Sequence, residues 1–96
     1  MSSEEVRIPC DASLKHAAKI SVTEDKPIML DYFADSYGDA NVLIGVRSND
    51  EKLLVRSSEE YTSPILSIYQ VESDYLIETE NSLYVVDSKI PTKKIS

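Results

Sequence analysis

The hydrophobic positions of this 96-residue chain recur mainly at every second residue, which is the period of a β-strand with one face turned to a core. The alternation is clearest in residues 41–57, where two apolar runs flank the polar stretch SNDE. Asn49 and Asp50 favour a tight turn because both residue types tolerate a left-handed backbone. Residues 41–57 are therefore predicted to form a β-hairpin with Ile44 and Val55 in its core.

A second hairpin is predicted in the stretch YLIETENSLYVV, with strands at 75–79 and 82–86 and a turn at Glu80 and Asn81. Both faces of these strands are partly apolar, and such strands are usually buried on both sides. Either the sheet curls around this hairpin or another chain covers it. Curling is favoured because it needs no partner and the turns on both sides are short.

The remaining elements are shorter. Residues 65–71 alternate as a strand after the polar connection SSEEYTSP, and residues 19–23 and 27–33 are two further strand candidates. Residues 11–19, DASLKHAAK, are the one helix candidate. Hairpin connections between short strands are typical of an antiparallel β domain.

The predicted fold class is therefore all-β and mainly antiparallel. We expect a small SH3-like barrel or rolled sheet of about five to seven short strands, with at most one short helix near the N-terminus. Residues 1–96 are predicted to form a single domain, with 1–9 and 91–96 as loosely ordered tails. The predicted oligomeric state is a monomer or a weak dimer, and a dimer would pair strands at 27–33 or 82–86.

The charge of the chain is acidic and unevenly distributed. The whole chain carries −7, while residues 88–96 hold three lysines and no acid and so carry +3, which leaves −10 on residues 1–87. An acidic body repels nucleic acid, so nucleic-acid binding is not expected. The charge serves solubility, or it serves to dock on a basic partner or to imitate nucleic acid.

Several features predict an intracellular protein without a membrane segment. Cys10 is the one cysteine, so an internal disulfide is not possible. No apolar run approaches the ~20 residues of a membrane span, and the start MSSEE lacks the basic and apolar parts of a signal peptide.

Candidate catalytic chemistry is sparse. Cys10 and His16 are the only residues of their types, and a nucleophile–base pair would need hydrogen-bond contact that proximity in sequence does not supply. One cysteine and one histidine are too few for a structural zinc site. No glycine-rich phosphate loop or hydrolase motif is present. We therefore predict no enzyme activity, no catalytic residues, no metal site and no cofactor.

The stretch LDYFADSYGDAN, predicted as a loop between strands, is the best candidate for recognition. Its three aspartates are spaced by four and could bind a divalent cation, but the EF-hand pattern is absent and solvated loop acids are the simpler interpretation. Aromatic side chains interspersed with acids on a loop are typical of protein-binding surfaces. Alternatively, two of the aromatic residues end a strand and one ring enters the core. The candidate partner-binding residues are Asp31, Tyr32, Phe33, Asp35, Tyr37 and Asp39.

Four stretches resemble one family. They are DKPIMLDYF (25–33), IGVRSNDEKLLVRS (44–57), EEYTSPILSIYQV (59–71) and YLIETENSLYVVDSKIPTKKIS (75–96), of which EEYTSPI and TENSLYVV are the most specific. They are similar to a family of short, uncharacterised proteins encoded by large DNA viruses of algae and protists. The resemblance implies a viral protein made in the cytoplasm of an infected cell or packaged in the virion. It carries no catalytic or binding residues with it.

The function expected from the sequence is a non-enzymatic protein-interaction module, with the resemblance implying a virion or assembly component. The alternative is an acidic inhibitor, or a nucleic-acid mimic, that acts as a decoy for a basic host protein. The two differ in their dependence on salt, because attraction between opposite charges is screened by ions.

Overall fold

The structure, a computed structural model, describes residues 8–36, 42–57 and 59–95, and it describes Asp35 without its side chain. The described residues form two helices and one seven-stranded sheet of order β1-β6-β5-β4-β3-β2-β7. Their bounds are α1 (Asp11–Glu24), β1 (Ile28–Met29), α2 (Phe33–Ser36), β2 (Leu43–Val46), β3 (Lys52–Val55), β4 (Tyr61–Val71), β5 (Asp74–Thr79), β6 (Leu83–Asp87) and β7 (Thr92–Lys94).

The prediction of a β-rich domain is confirmed, and the topology is more mixed than predicted. The four pairings β2–β3, β3–β4, β4–β5 and β5–β6 are antiparallel. The two outer strands pair in parallel, β1 with β6 and β7 with β2. The sheet is not a closed barrel, since β1 and β7 stand at opposite ends of the strand order.

The first predicted hairpin is β2 followed by β3, with Leu43 opposite Val55. Its turn is tight: the Asp50 N–H donates to the Arg47 carbonyl, and Asp50 has the positive φ of 69° that its residue type tolerates. Ile44 is buried as predicted. The buried side chain that shares its cluster from β3 is Leu54, while Val55 is half-buried.

The second predicted hairpin is β5 followed by β6, and both of its faces are buried. One face contributes Ile77 and Val86 to a cluster with β2 and β3, called here the sheet cluster. The other face contributes Leu76, Leu83 and Val85 to a cluster with α1 and α2, called here the helix cluster. The sheet cluster consists of Tyr32, Val42, Ile44, Leu54, Ile77, Val86 and Ile90; the helix cluster consists of Ala17, Phe33, Leu76, Leu83 and Val85.

The two clusters show how a hairpin with two apolar faces stays within a monomer. The sheet cluster extends from β6 to β2 and includes Tyr32 and Ile90 from outside the strands, so residues of the same chain cover that face. Curling of the sheet stays a prediction. The cover on the other face is a helix, which the sequence pattern did not predict there.

Helix α1 is longer than predicted, and it includes residues 19–23, which were predicted as a strand. That prediction was wrong because it followed the β-branched side chains of Ile20, Val22 and Thr23. Buried Ser13 and Ala17 and half-buried Ile20 recur at the helical period, and packing on the helix cluster outweighs local propensity. The helix ends at Glu24, and Asp25 caps its C-terminus in the left-handed conformation, with φ 57°.

A buried ion pair fixes the segment after α1 to β5. The Lys26 ammonium donates to Glu78 Oε2 at 2.7 Å and to the Thr79 carbonyl oxygen at 2.7 Å. The two charged side chains are only 13% and 9% exposed. The Ser21 hydroxyl holds the same segment by donating to the Lys26 carbonyl oxygen at 2.5 Å.

Strand β1 is only two residues long, because Phe33 begins α2 where the predicted strand 27–33 would have continued. Residues 61–64, predicted as a polar connection, instead extend β4 to eleven residues. The Thr62 hydroxyl accepts a hydrogen bond from the Leu54 N–H at 3.1 Å, at the irregularity where β4 leaves regular register with β3.

The C-terminal segment differs from the predicted loose tail, since residues 92–94 form β7. The Ile95 N–H donates to the Val46 carbonyl at 3.0 Å, and the Ile95 side chain lies over Gly45. A Cβ at Gly45 would stand 2.7 Å from Ile95 Cδ1, so the Ile95 side chain would have to shift to admit a larger residue there.

Candidate functional site

The two described aromatic side chains of the predicted recognition loop are buried. Asp31 is exposed, whereas Tyr32 lies in the sheet cluster and Phe33 in the helix cluster. Both aromatic rings are therefore core residues. Asp35 belongs to α2 without a described side chain, and Tyr37 and Asp39 lie outside the described residues.

Tyr32 anchors a small aromatic and charged group. Its ring packs against Tyr84 with centroids 5.1 Å apart and planes tilted by 58°, and the Arg56 guanidinium lies 5.2 Å from its centroid. Arg56 also approaches Asp31 Oδ2 at 3.9 Å. Burial raises the pKa of both tyrosines above the usual value for the phenol, and nearby Asp31 adds to this. Two neutral phenols and one paired guanidinium stabilise packing and offer no acid or base at neutral pH.

Cys10 and His16 have separate surroundings in the structure. The Cys10 sulfur lies 3.5 Å from the Ser73 hydroxyl, and the Cys10 N–H donates to Asp74 Oδ2 at 2.9 Å. His16 is exposed on α1. Among the described residues, no three side chains of the metal-binding types are grouped closely enough to hold a metal ion.

The feature that the sequence analysis missed is the second half of β4. In the described residues β3 pairs with β4 only at Tyr61 and Pro64, whereas β5 pairs with β4 as far as Val71. Among the described residues, 66–71 therefore have a strand partner on the β5 side and none on the opposite side. We call this side of residues 66–71 the open edge.

The direction of the free backbone groups follows from the β4–β5 turn. Val71 and Asp74 close a two-residue loop, and such a closing pair exchanges both of its hydrogen bonds. The alternation of an antiparallel ladder then directs the N–H and C=O groups of Ile68 and Gln70 away from β5. Two donors and two acceptors are thus aimed at the open edge.

A shallow groove runs beside the open edge, between β4 and the β2–β3 turn. Its volume is about 370 Å³. Leu66 and Ile68 supply apolar surface and are 56% and 38% exposed. The opposite side is charged. The groove is lined by Asp50, Glu51, Lys52, Ile65, Leu66, Ser67 and Ile68.

The sheet's other two edges are protected in ways that the open edge is not. Strand β1 has only two residues and follows Pro27, and β7 follows Pro91 and carries Lys93 and Lys94. Short length, proline and lysine are the usual means by which proteins prevent edge-to-edge pairing. Strand β4 has eleven residues and not one charged side chain.

The sequence held one signal for this site. Eleven consecutive uncharged residues at 61–71 stand out in a chain in which 28% of residues are charged. An uncharged strand is usually interior, and only the structure shows that half of this one is not.

The dimer strands predicted from sequence are corrected by the same topology. Strand β6, which covers most of residues 82–86, is paired on both sides at Leu83 and Tyr84 by β5 and β1, and the Asp87 N–H donates to the Ser36 hydroxyl. Residues 27–33 contribute only the two residues of β1 to the sheet. The open edge lies elsewhere, on β4.

Comparisons with protein-family models, with curated proteins and with solved structures gave no match. In the part of the chain that the structure describes, no helix has both the length and the apolar character needed to cross a bilayer.

Proposed function

We propose that the protein is a non-enzymatic protein-interaction module that binds by strand addition at the open edge of β4. The observation that supports this most directly is an edge with outward N–H and C=O groups, exposed Leu66 and Ile68, and no charged side chain within the strand itself. In strand addition, main-chain hydrogen bonds give affinity and side chains along the groove give specificity. The family resemblance supports a role as a virion or assembly component.

The test removes one outward donor without touching the β4–β5 ladder. Proline at position 70 lacks the N–H aimed at the open edge, and proline is tolerated on strand edges where that N–H faces solvent. Gln70→Pro is compared with Gln70→Ala, which keeps the N–H, and both are checked for an unchanged melting temperature. Proteins copurified from the native cell with wild type and with Gln70→Ala should be lost with Gln70→Pro.

Salt separates this proposal from an acidic decoy. Strand addition to an uncharged edge should depend weakly on ionic strength, whereas a decoy for a basic protein should lose its partner steeply as salt increases. Copurification that survives Gln70→Pro and disappears with salt would favour the decoy.

A further inference from the structure

We propose that the open edge pairs with the open edge of a second copy of this chain, which makes a two-fold antiparallel dimer with one continuous sheet. This inference rests on the proposed strand addition and names its partner. In the register that fits the free backbone groups, Ile68 of each copy faces Gln70 of the other. Each pair exchanges two hydrogen bonds, and the two-fold axis passes beside Tyr69.

The distribution of charge favours a second copy as the partner. Across a two-fold axis a strand faces itself in reverse, so any charged residue near the axis would approach its own copy. The chain carries −7 overall, and most surfaces of two copies would repel each other. Strand β4 is uncharged from Tyr61 to Val71, so the strand residues that face each other across the axis bring no like charges together.

The protection of the sheet's other two edges also favours pairing at the open edge. The lysines of β7 and the two-residue length of β1 act against pairing at both ends of the sheet, whereas residues 66–71 contain neither lysine nor proline. The exposed side chains of Leu66, Ile68 and Tyr69 follow the same segment. A second copy would cover these three side chains and satisfy the outward backbone groups together.

The symmetry of such an interface limits the assembly to a dimer. A two-fold interface uses the same patch on both chains, so pairing of the open edge with its own copy forms a dimer and does not form a filament. The interface is short, with about five residues from each strand. We therefore expect a dimer that dissociates on dilution.

The test is a symmetric disulfide. In the proposed register Tyr69 faces Tyr69 of the second copy as a non-hydrogen-bonded pair, with Cα atoms about 4.5 Å apart. This separation lies within the range of about 4.4–6.8 Å that a disulfide spans. Cys10 is first replaced by serine, so that Tyr69→Cys supplies the one thiol. The matched control is Val22→Cys, which places a thiol on α1 at a side chain that is 83% exposed.

Under mild oxidation Tyr69→Cys should form a species of twice the 10.8 kDa chain mass at least tenfold faster than Val22→Cys, a ratio that corresponds to about 1.4 kcal/mol. Sedimentation of the wild-type chain should show an average mass that rises with concentration, and Gln70→Pro should abolish the rise. Equal crosslinking rates for the two thiols, or a monomer at every concentration, would overturn the second-copy proposal. If the chain is monomeric but Gln70→Pro still loses a copurified protein, strand addition at the open edge holds with a different partner. The strand-addition proposal and the second-copy proposal can therefore fail separately.

Discussion

Removal of Lys26 from its buried ion pair should destabilise the domain strongly. Lys26→Met leaves the Glu78 carboxylate, 9% exposed, without its cation and leaves the Thr79 carbonyl without its donor. At 2.7 Å and an effective dielectric constant of about 20, the attraction within the pair is about 6 kcal/mol before the cost of desolvation. Removing one partner of a buried pair typically costs about 3–5 kcal/mol. We expect about 3 kcal/mol, because both side chains keep some contact with water.

The chain contains a matched control in the Arg47–Glu51 pair, which is 3.4 Å long with side chains 42% and 34% exposed. Arg47→Met should cost no more than about 1 kcal/mol, as is usual for surface pairs. The double variant Lys26→Met with Glu78→Leu should lose less than Lys26→Met alone, since no buried charge is left unpaired. Urea unfolding followed by circular dichroism at neutral pH measures all four proteins. Equal losses for Lys26→Met and Arg47→Met would refute the claim that burial strengthens the first pair.

Three further variants test the core and its edges. Leu83→Ala should lower the free energy of unfolding by about 2–5 kcal/mol, and an unchanged urea midpoint would place this side chain outside the core. Gly45→Ala should loosen β7, because its Cβ would meet Ile95, and amide exchange at Ile95 should accelerate relative to exchange in β5. Replacing Tyr32 and Tyr84 by phenylalanine should reduce the loss of stability in alkali. Their raised pKa values mean that their contribution is complete below about pH 10 and is lost as pH rises through the folded-state pKa values. Urea unfolding at about pH 8 and about pH 11 tests this, and parallel alkaline losses in both proteins would contradict it.

Local patterns predicted the two hairpins because their determinants are local. The β2–β3 turn rests on Asn49 and Asp50, and the β5–β6 strands alternate around a short polar break. In the turn at Glu80 and Asn81, the Thr79 hydroxyl accepts hydrogen bonds from the Asn81 and Ser82 N–H groups.

The features that sequence did not predict depend on contacts between distant residues. The parallel pairing of Ile44 with Thr92 joins segments that share no local signal. Residues 19–23 have strand propensity and are helical because Ala17 and Ile20 pack on β5 and β6. The recognition prediction for residues 31–39 assumed exposed rings, and Tyr32 and Phe33 are buried in the sheet cluster and the helix cluster, respectively. The open edge is likewise defined by where β3 begins, at Lys52, and no pattern within β4 records that position.

The β5–β6 hairpin has a consequence for how the protein unfolds. Its two strands contribute buried side chains to both the sheet cluster and the helix cluster. Neither cluster can therefore unfold while these strands stay packed against it. Two hydrophobic clusters in a small domain could melt as separate units with different midpoints. Because both clusters include β5 and β6, we expect them to unfold in one cooperative transition. The calorimetric and van't Hoff enthalpies should then agree, and probes on α1 and on β2 should report the same midpoint.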